Sequence, residues 1–204
     1  MSMHNSENDF FGRQEGERIL YVVRPHPLSL TFKLFKIYLI ALAVFVVMAV
    51  LGTQLVSLSL FLLSGLVVAI IIAVAGTKII TDYQKRDMAY ITDRRLMRFE
   101  PTTLFATNPR SLTWDEVVKV KTYPPNAIWK QLAIGNVVVH ARTPARLDER
   151  TPGTIAADDI ELKDVYYYKD LGNYIDKILF TYKQKPKEME MVRPFVAKPK
   201  GERF

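Results

Sequence analysis

From Ile37 to Thr77 the chain carries no Asp, Glu, Lys, Arg or His. Drawn as one continuous helix, this block would be about 60 Å long, roughly twice the thickness of a bilayer's hydrocarbon core. It must therefore double back. The composition marks Gly52-Thr53-Gln54 as the turn, a helix-weakening glycine followed by two polar side chains between two apolar runs. The reading is a transmembrane helical hairpin over residues 30–77, with spans at about 30–51 and 55–77. A buried core hairpin would need more covering chain than the sequence supplies.

The flanks give the orientation. Arg13, Arg18, Arg24, Lys33 and Lys36 precede the block, Lys78, Lys85 and Arg86 follow it, and the turn is uncharged. By the positive-inside rule both termini lie in the cytoplasm, and Lys33 and Lys36 reach the interface by snorkelling. The polar side chains within the spans include no ionisable group at mid-depth, where proton and ion pathways place one. The pair therefore reads as an anchor in the cytoplasmic membrane. Ser64-Gly65, Ala69, Ala73 and Gly76 form a seam of small residues that lets the helices approach closely.

Residues 1–16 are polar and unpatterned and read as a disordered tail. Residues 17–29 read as a juxtamembrane extended segment, with the β-branched run Ile19–Val23 closed by Pro25 and Pro27. After Lys78 the period changes to alternation. The predicted strands are Asp87–Thr92, Arg95–Glu100, Ser111–Trp114, Val117–Tyr123, Asn136–Ala141 and Ile155–Leu162, with Asp93-Arg94 as a tight hairpin turn. In the first strand Met88 and Tyr90 share one face, and Ala89 and Ile91 the other. Tyr167, Leu171, Tyr174, Ile175, Ile178, Leu179 and Tyr182 then recur at helical spacing and predict an amphipathic helix over 165–182. The fold class is thus α+β. The two-helix transmembrane hairpin precedes a domain over 78–182, an antiparallel β-barrel or sandwich capped by the C-terminal α-helix, which is the architecture of pleckstrin-homology-like (PH-like) domains. Residues 183–204, with seven basic and three acidic side chains, read as a flexible basic tail.

Several stretches carry a resemblance. Glu17-Arg-Ile-Leu-Tyr-Val-Val-Arg-Pro-His26, two apolar spans, and Tyr90-Ile-Thr-Asp-Arg-Arg-Leu96 together resemble the small bacterial membrane proteins that carry a bacterial PH-like domain. Ser111-Leu-Thr-Trp-Asp-Glu-Val117, Ile128-Trp-Lys-Gln-Leu132 with Gly135, and Asn136-Val-Val-Val-His140 extend the likeness. Residues 127–134 and the long polar stretch 143–157 depart from that pattern. The resemblance implies an oligomer-forming module, for which exposed sheet edges and a groove beside the C-terminal helix offer a route to self-association or partner capture.

The residues themselves offer no catalytic set. His4, His26 and His140 lack metal-ligand spacing, there is no cysteine, and neither a phosphate loop nor a nucleophile elbow occurs. The acidic pairs Asp115-Glu116, Asp148-Glu149 and Asp158-Asp159 read as solvated turn residues. No cofactor is expected. Arg86, Arg94, Arg95 and Arg98 gather around the first hairpin, the place where eukaryotic PH domains bind inositol headgroups. Two readings of this cluster stand: contact with a partner or an anionic lipid, or a turn residue with cross-sheet pairing to acids. The net charge of +7 also suits nucleic acid, but the basic tail has only Phe195 and Phe204 as interleaved aromatics and no nucleic-acid motif is present. The expected function is scaffolding of a protein assembly at the membrane; the alternative is sensing of anionic lipid.

Overall fold

The structure is a computed structural model that describes residues 9–54, 57–103, 105–142 and 159–198. In chain order the elements are β1 (Ile19–Val23), α1 (Pro27–Gln54), α2 (Leu58–Arg86), β2 (Met88–Thr92), β3 (Arg95–Pro101), β4 (Thr107–Thr113), β5 (Val117–Tyr123), α3 (Ala127–Gln131), β6 (Ile134–Ala141), β7 (Ile160–Tyr166) and α4 (Tyr168–Gln184), followed by a short 3₁₀ helix, Pro186–Met191. They form two compact units: a helical unit of Pro27–Arg86 with Pro101–Ala106, and a globular unit made of the rest.

In the helical unit α1 and α2 run antiparallel, with Ile37 beside Gly76, Met48 beside Gly65 and Gly52 beside Phe61. A Cβ at any of these three glycines would lie within 2.8 Å of the opposing side chain. The predicted small-residue seam is therefore present at Gly65 and Gly76. Gly52 is a correction: it does not end α1 but lies inside it, as part of the seam, and the helix continues to Gln54. Close helix packing outweighs the glycine's weak helix propensity there. The second correction is at the far end, where α2 continues past Thr77 to Arg86. Residues 78–86 contain neither glycine nor proline, and Lys85 and Arg86 in the last turn complement the helix dipole. At 28 and 29 residues, both helices have the length and apolar composition of membrane spans; most of their large apolar side chains are exposed, and the others, such as Ile37, Met48 and Phe61 along the seam, are half-buried.

The globular unit holds two antiparallel sheets, β1-β2-β3-β4 and β5-β6-β7. Neither closes on itself, so the expected barrel is observed as two open sheets. Residues 17–29 are not merely a lead-in to the spans: β1 pairs with β2, Val23 opposite Ala89 and Ile19 opposite Thr92, and Leu20 and Val23 are buried. The helical hairpin is consequently inserted between two neighbouring strands of one sheet. The predicted turn at Asp93-Arg94 joins β2 to β3.

The period of two sorts β2 as the alternation requires. Ala89 and Ile91 join the main core with Leu96, Trp114, Val117 and Val139, while Met88 and Tyr90 join a smaller cluster with Met97 and Phe99. Phe10 completes that smaller cluster, its ring 4.7 Å from Tyr90's and 6.2 Å from Phe99's. Residues 9–16, expected as tail, are thus part of the fold. The basic tail needs the same correction as far as residue 198. Met189 and Val192 are buried, and Phe195 packs edge-to-face with Tyr21 (4.9 Å) and tilted against Tyr174 (5.2 Å) while its N–H donates to the Leu20 carbonyl.

Helix α4 packs across β5 and β6, burying Leu171, Ile175, Ile178 and Leu179 as its periodicity predicts. It starts at Tyr168, three residues later than expected, because β7 runs to Tyr166 and Tyr167 reverses the chain with φ of +50°. Gly172 permits the close approach: a Cβ there would come within 2.3 Å of the Thr122 methyl. The first half of the predicted strand Ile155–Leu162, the stretch 143–157 and the pair Asp148-Glu149 lie outside the described residues.

Candidate functional site

The four arginines singled out from the sequence do not form one surface. Arg95 reaches back to Glu17, a carboxylate with no exposed surface, through Nε to Oε1 and Nη2 to Oε2, both at 3.0 Å. Thr92 Oγ1 and the Gln14 N–H donate to the same carboxylate at 2.7 and 2.8 Å. Burial pushes the Glu17 carboxyl up, but the hydrogen bonds from Arg95, Gln14 and Thr92 outweigh it and hold the group below its ordinary range. A bidentate, charge-assisted pair of this kind positions the backbone, joining the segment before β1 to the β2–β3 turn.

Arg98 is also buried, at 4% exposure. It donates from Nη2 to Asp87 Oδ1 at 3.2 Å and from Nη1 to the Glu161 carbonyl, tying β3 to β7 across the two sheets. Arg94 is exposed at the turn, with Nη1 on Gln14 Oε1 at 3.1 Å. Arg86 ends α2 and belongs to the helical unit. Arg95 and Arg98 are thus paired with acids inside the globular unit, Glu17 and Asp87, each of which lies just before a strand and not on one. Arg94 is exposed and Arg86 half-buried, in different units.

His140 stands beside one carboxylate: its Nδ1 is 2.8 Å from Asp159 Oδ2, and Asp159 Oδ1 accepts the Ala141 N–H at 3.0 Å. This pair fastens the end of β6 to the start of β7. Glu116 closes its own turn, accepting from the Thr113 N–H and hydroxyl; those bonds hold its carboxyl below the ordinary value. Asp115 accepts from the Tyr182 hydroxyl at 3.0 Å. Burial pushes the Tyr174 phenol up to about 12, and its hydroxyl donates to the Arg193 carbonyl. Among the described residues no three His, Asp or Glu side chains come together as a metal site would need.

Strand edges differ in how they are occupied. At β1 the Leu20 carbonyl takes the Phe195 N–H, and at β7 the Glu161 and Asp164 carbonyls take Arg98 and the His26 N–H. Among the described residues β4 and β5 lie at the ends of their sheets, each with a strand neighbour on one side only. Most of β4 and the centre of β5 are solvent-exposed, including Val118, Lys119 and Lys121.

The helical unit contains a groove of about 200 Å³ lined by Lys78, Ile79, Asp82, Tyr83, Arg86 and Phe105. Phe105 comes from the loop after β3, whose start is held to α2 by the Tyr83 hydroxyl donating to the Pro101 carbonyl. The Thr102 N–H donates to the Ala106 carbonyl and the Ala106 N–H to Thr103 Oγ1, each at 3.0 Å, which tightens the loop and leaves Phe105 93% exposed. A second depression, lined by Tyr38, Ala73, Val74 and Thr77, meets the first at Lys78 and Asp82. Sequence reasoning missed this site because Phe105 stands 19 positions beyond Arg86 with no local pattern linking them.

No family model matches the chain, and neither the curated proteins nor the solved structures contain a match.

Proposed function

We propose that this chain is a membrane-anchored, non-catalytic scaffold. Its hairpin crosses the cytoplasmic membrane twice with both termini in the cytoplasm, and its globular unit is a PH-like domain that assembles protein there. The PH-like reading is supported by the four-plus-three strand arrangement followed by α4 on the second sheet. The observation that carries the binding role is the contrast among edges: segments outside the sheets bond the interior of β1 and β7, whereas on β5 the bond from outside the sheet, Lys183 Nζ to the Val117 carbonyl, lies at the strand's first residue, and the centre of the strand from Val118 to Lys121 takes none among the described residues. An open edge offers unpaired backbone groups, and an extended segment of a partner or of a second copy adds to it as a further strand. Of the end strands β4 and β5, the second is better suited, because β4 carries Pro109, which has no N–H to donate.

The alternative, an anionic-lipid sensor at the first hairpin, is weakened by the pairing of Arg95 and Arg98 within the fold. A photo-crosslinking amino acid placed at Val118 in the full chain, in native membranes, tests the choice. The scaffold predicts discrete crosslinked protein bands that disappear when the label is moved to buried Val139. Lipid-only adducts, together with hydrogen-exchange protection of residues 92–95 that depends on anionic lipid, would reverse the assignment.

A further inference from the structure

Resting on the membrane reading above, we infer that the groove between α2 and the Pro101–Ala106 loop is a binding site for one phospholipid, with Phe105 as a wedge at the bilayer interface. Depth supports this. The uncharged part of α2 ends at Thr77, so Lys78 marks the hydrocarbon boundary, and Arg86 stands about 12 Å beyond it along the axis. Side chains on a helix lean toward its N-terminus, and α2 leaves the bilayer at its C-terminus. Lys78 and Arg86 therefore lean back toward the headgroups, on successive turns of one face with Asp82 between them.

The chemistry of the two depressions matches an amphipathic ligand. The lower one is walled by Ala73, Val74 and the Tyr38 ring, and passes at Lys78 and Asp82 into the charged upper one. An acyl chain fits the first and a phosphodiester the second, with Lys78 and Arg86 as its cations. Asp82 offsets one of those charges, so the site takes zwitterionic and anionic phospholipids alike. That separates it from the sensor reading, which demands strong anionic selectivity. An aromatic ring at 93% exposure on a loop otherwise tightened by its own hydrogen bonds is poorly suited to water and well suited to the interface, where aromatic side chains concentrate.

The chain has no cysteine, so single nitroxide labels can be placed cleanly. Full-length Phe105→Cys, Leu63→Cys and Asn173→Cys, each labelled and reconstituted into phosphatidylcholine vesicles with and without phosphatidylglycerol, are compared by oxygen and nickel-chelate accessibility; Asn173 is exposed on α4, away from the β5 edge. The Leu63 label is expected in the hydrocarbon, the Phe105 label at the interface in both lipids, and the Asn173 label in water. A Leu63 label in water defeats the membrane reading itself. A Phe105 label as water-accessible as Asn173, with Leu63 buried in lipid, defeats the wedge alone. Native mass spectrometry of the full chain from detergent then reads the site. Lys78→Gln and Arg86→Gln are each expected to lower retained phospholipid about fivefold, the effect of one interfacial cation. Unchanged retention in the double variant overturns the headgroup assignment.

Discussion

The globular unit turns its large apolar side chains inward, with Trp114, Tyr90, Phe99 and Ile175 fully buried, and keeps two arginines paired inside. The helical unit does the reverse: Leu60, Leu63 and Val74 are about two-thirds exposed, and the helices are held together by glycines. One unit hides its apolar side chains, and the other presents them on helices with the length and composition of membrane spans. The difference also separates their stabilising interactions: burial of apolar area and charged pairs in the first, close van der Waals contact in the second. Because α1 and α2 are inserted between the paired strands β1 and β2, the same chain must satisfy both regimes within a few residues at Val23–Pro27 and Arg86–Met88.

The sharpest test of this separation is Trp114→Ala. The indole is fully buried and its Nε1 donates to the Thr92 carbonyl at 3.1 Å, so the substitution opens a large cavity and strands an acceptor. A loss of about 3–5 kcal/mol is expected in the globular unit. Hydrogen exchange on the reconstituted chain should show deprotection of β2, β3 and β6 with α1 and α2 unchanged. Parallel deprotection of the helices would break the comparison.

Glu17→Ala comes next, at about 3 kcal/mol, because it leaves the largely buried Arg95 without its carboxylate. The pair also sets a pH dependence. Glu17 titrates below its ordinary 4.5 when folded, so its contribution is complete above that value and is lost as pH falls through the folded value. An acid titration of the globular unit's unfolding midpoint should therefore steepen below about pH 4.5 in the native chain and flatten in Glu17→Gln. Identical acid slopes for both would mean that the pair does not couple to folding.

These targets differ in how legible they are in the sequence. Alternation along β2 and the period of α4 can be read directly, because each core face is written locally, two or three residues apart. The Glu17–Arg95 pair cannot: its members are 78 positions apart, and the same arginine reads equally as a surface cation until the fold closes. Phe10 is hidden for a related reason. Two adjacent aromatics in a polar segment show no period, and only the unfilled outer face of β2 and β3 explains why Phe10 is buried while Phe11 stays exposed. Gly52 misleads because a glycine's signal is double, breaker in one setting and close-contact residue in another, and only the partner, Phe61, decides. The candidate groove combines these difficulties, since one wall is a helix continuation and the other a distant loop.

Gly65→Leu addresses the helical unit. A Cβ there would already sit 2.8 Å from Met48 Cβ, so a larger side chain forces the helices apart at an expected cost of about 1–3 kcal/mol. The globular unit's unfolding midpoint should not move. A cysteine pair across the seam would report the separation by its crosslinking yield. Yield equal to that of the native seam would show that the glycine is not a contact residue.

The smallest effect is expected for Tyr38→Phe. The Tyr38 hydroxyl lies 3.1 Å from Thr77 Oγ1, which itself donates to the Ala73 carbonyl at 2.6 Å and therefore accepts from the tyrosine. Removing the phenolic oxygen leaves Thr77 still bonded, while Thr77→Val leaves the half-exposed tyrosine free to turn toward interfacial water. Neither change strands a buried group, so the coupling between them in a double-mutant cycle should be about 0.6 kcal/mol, typical of hydrogen bonds between membrane helices. Reversible unfolding of the helical unit in detergent can resolve that value. A coupling several times larger would mean that polar bonds, and not the glycine seam, hold this hairpin together, and the contrast between the two units would then be one of geometry more than of force.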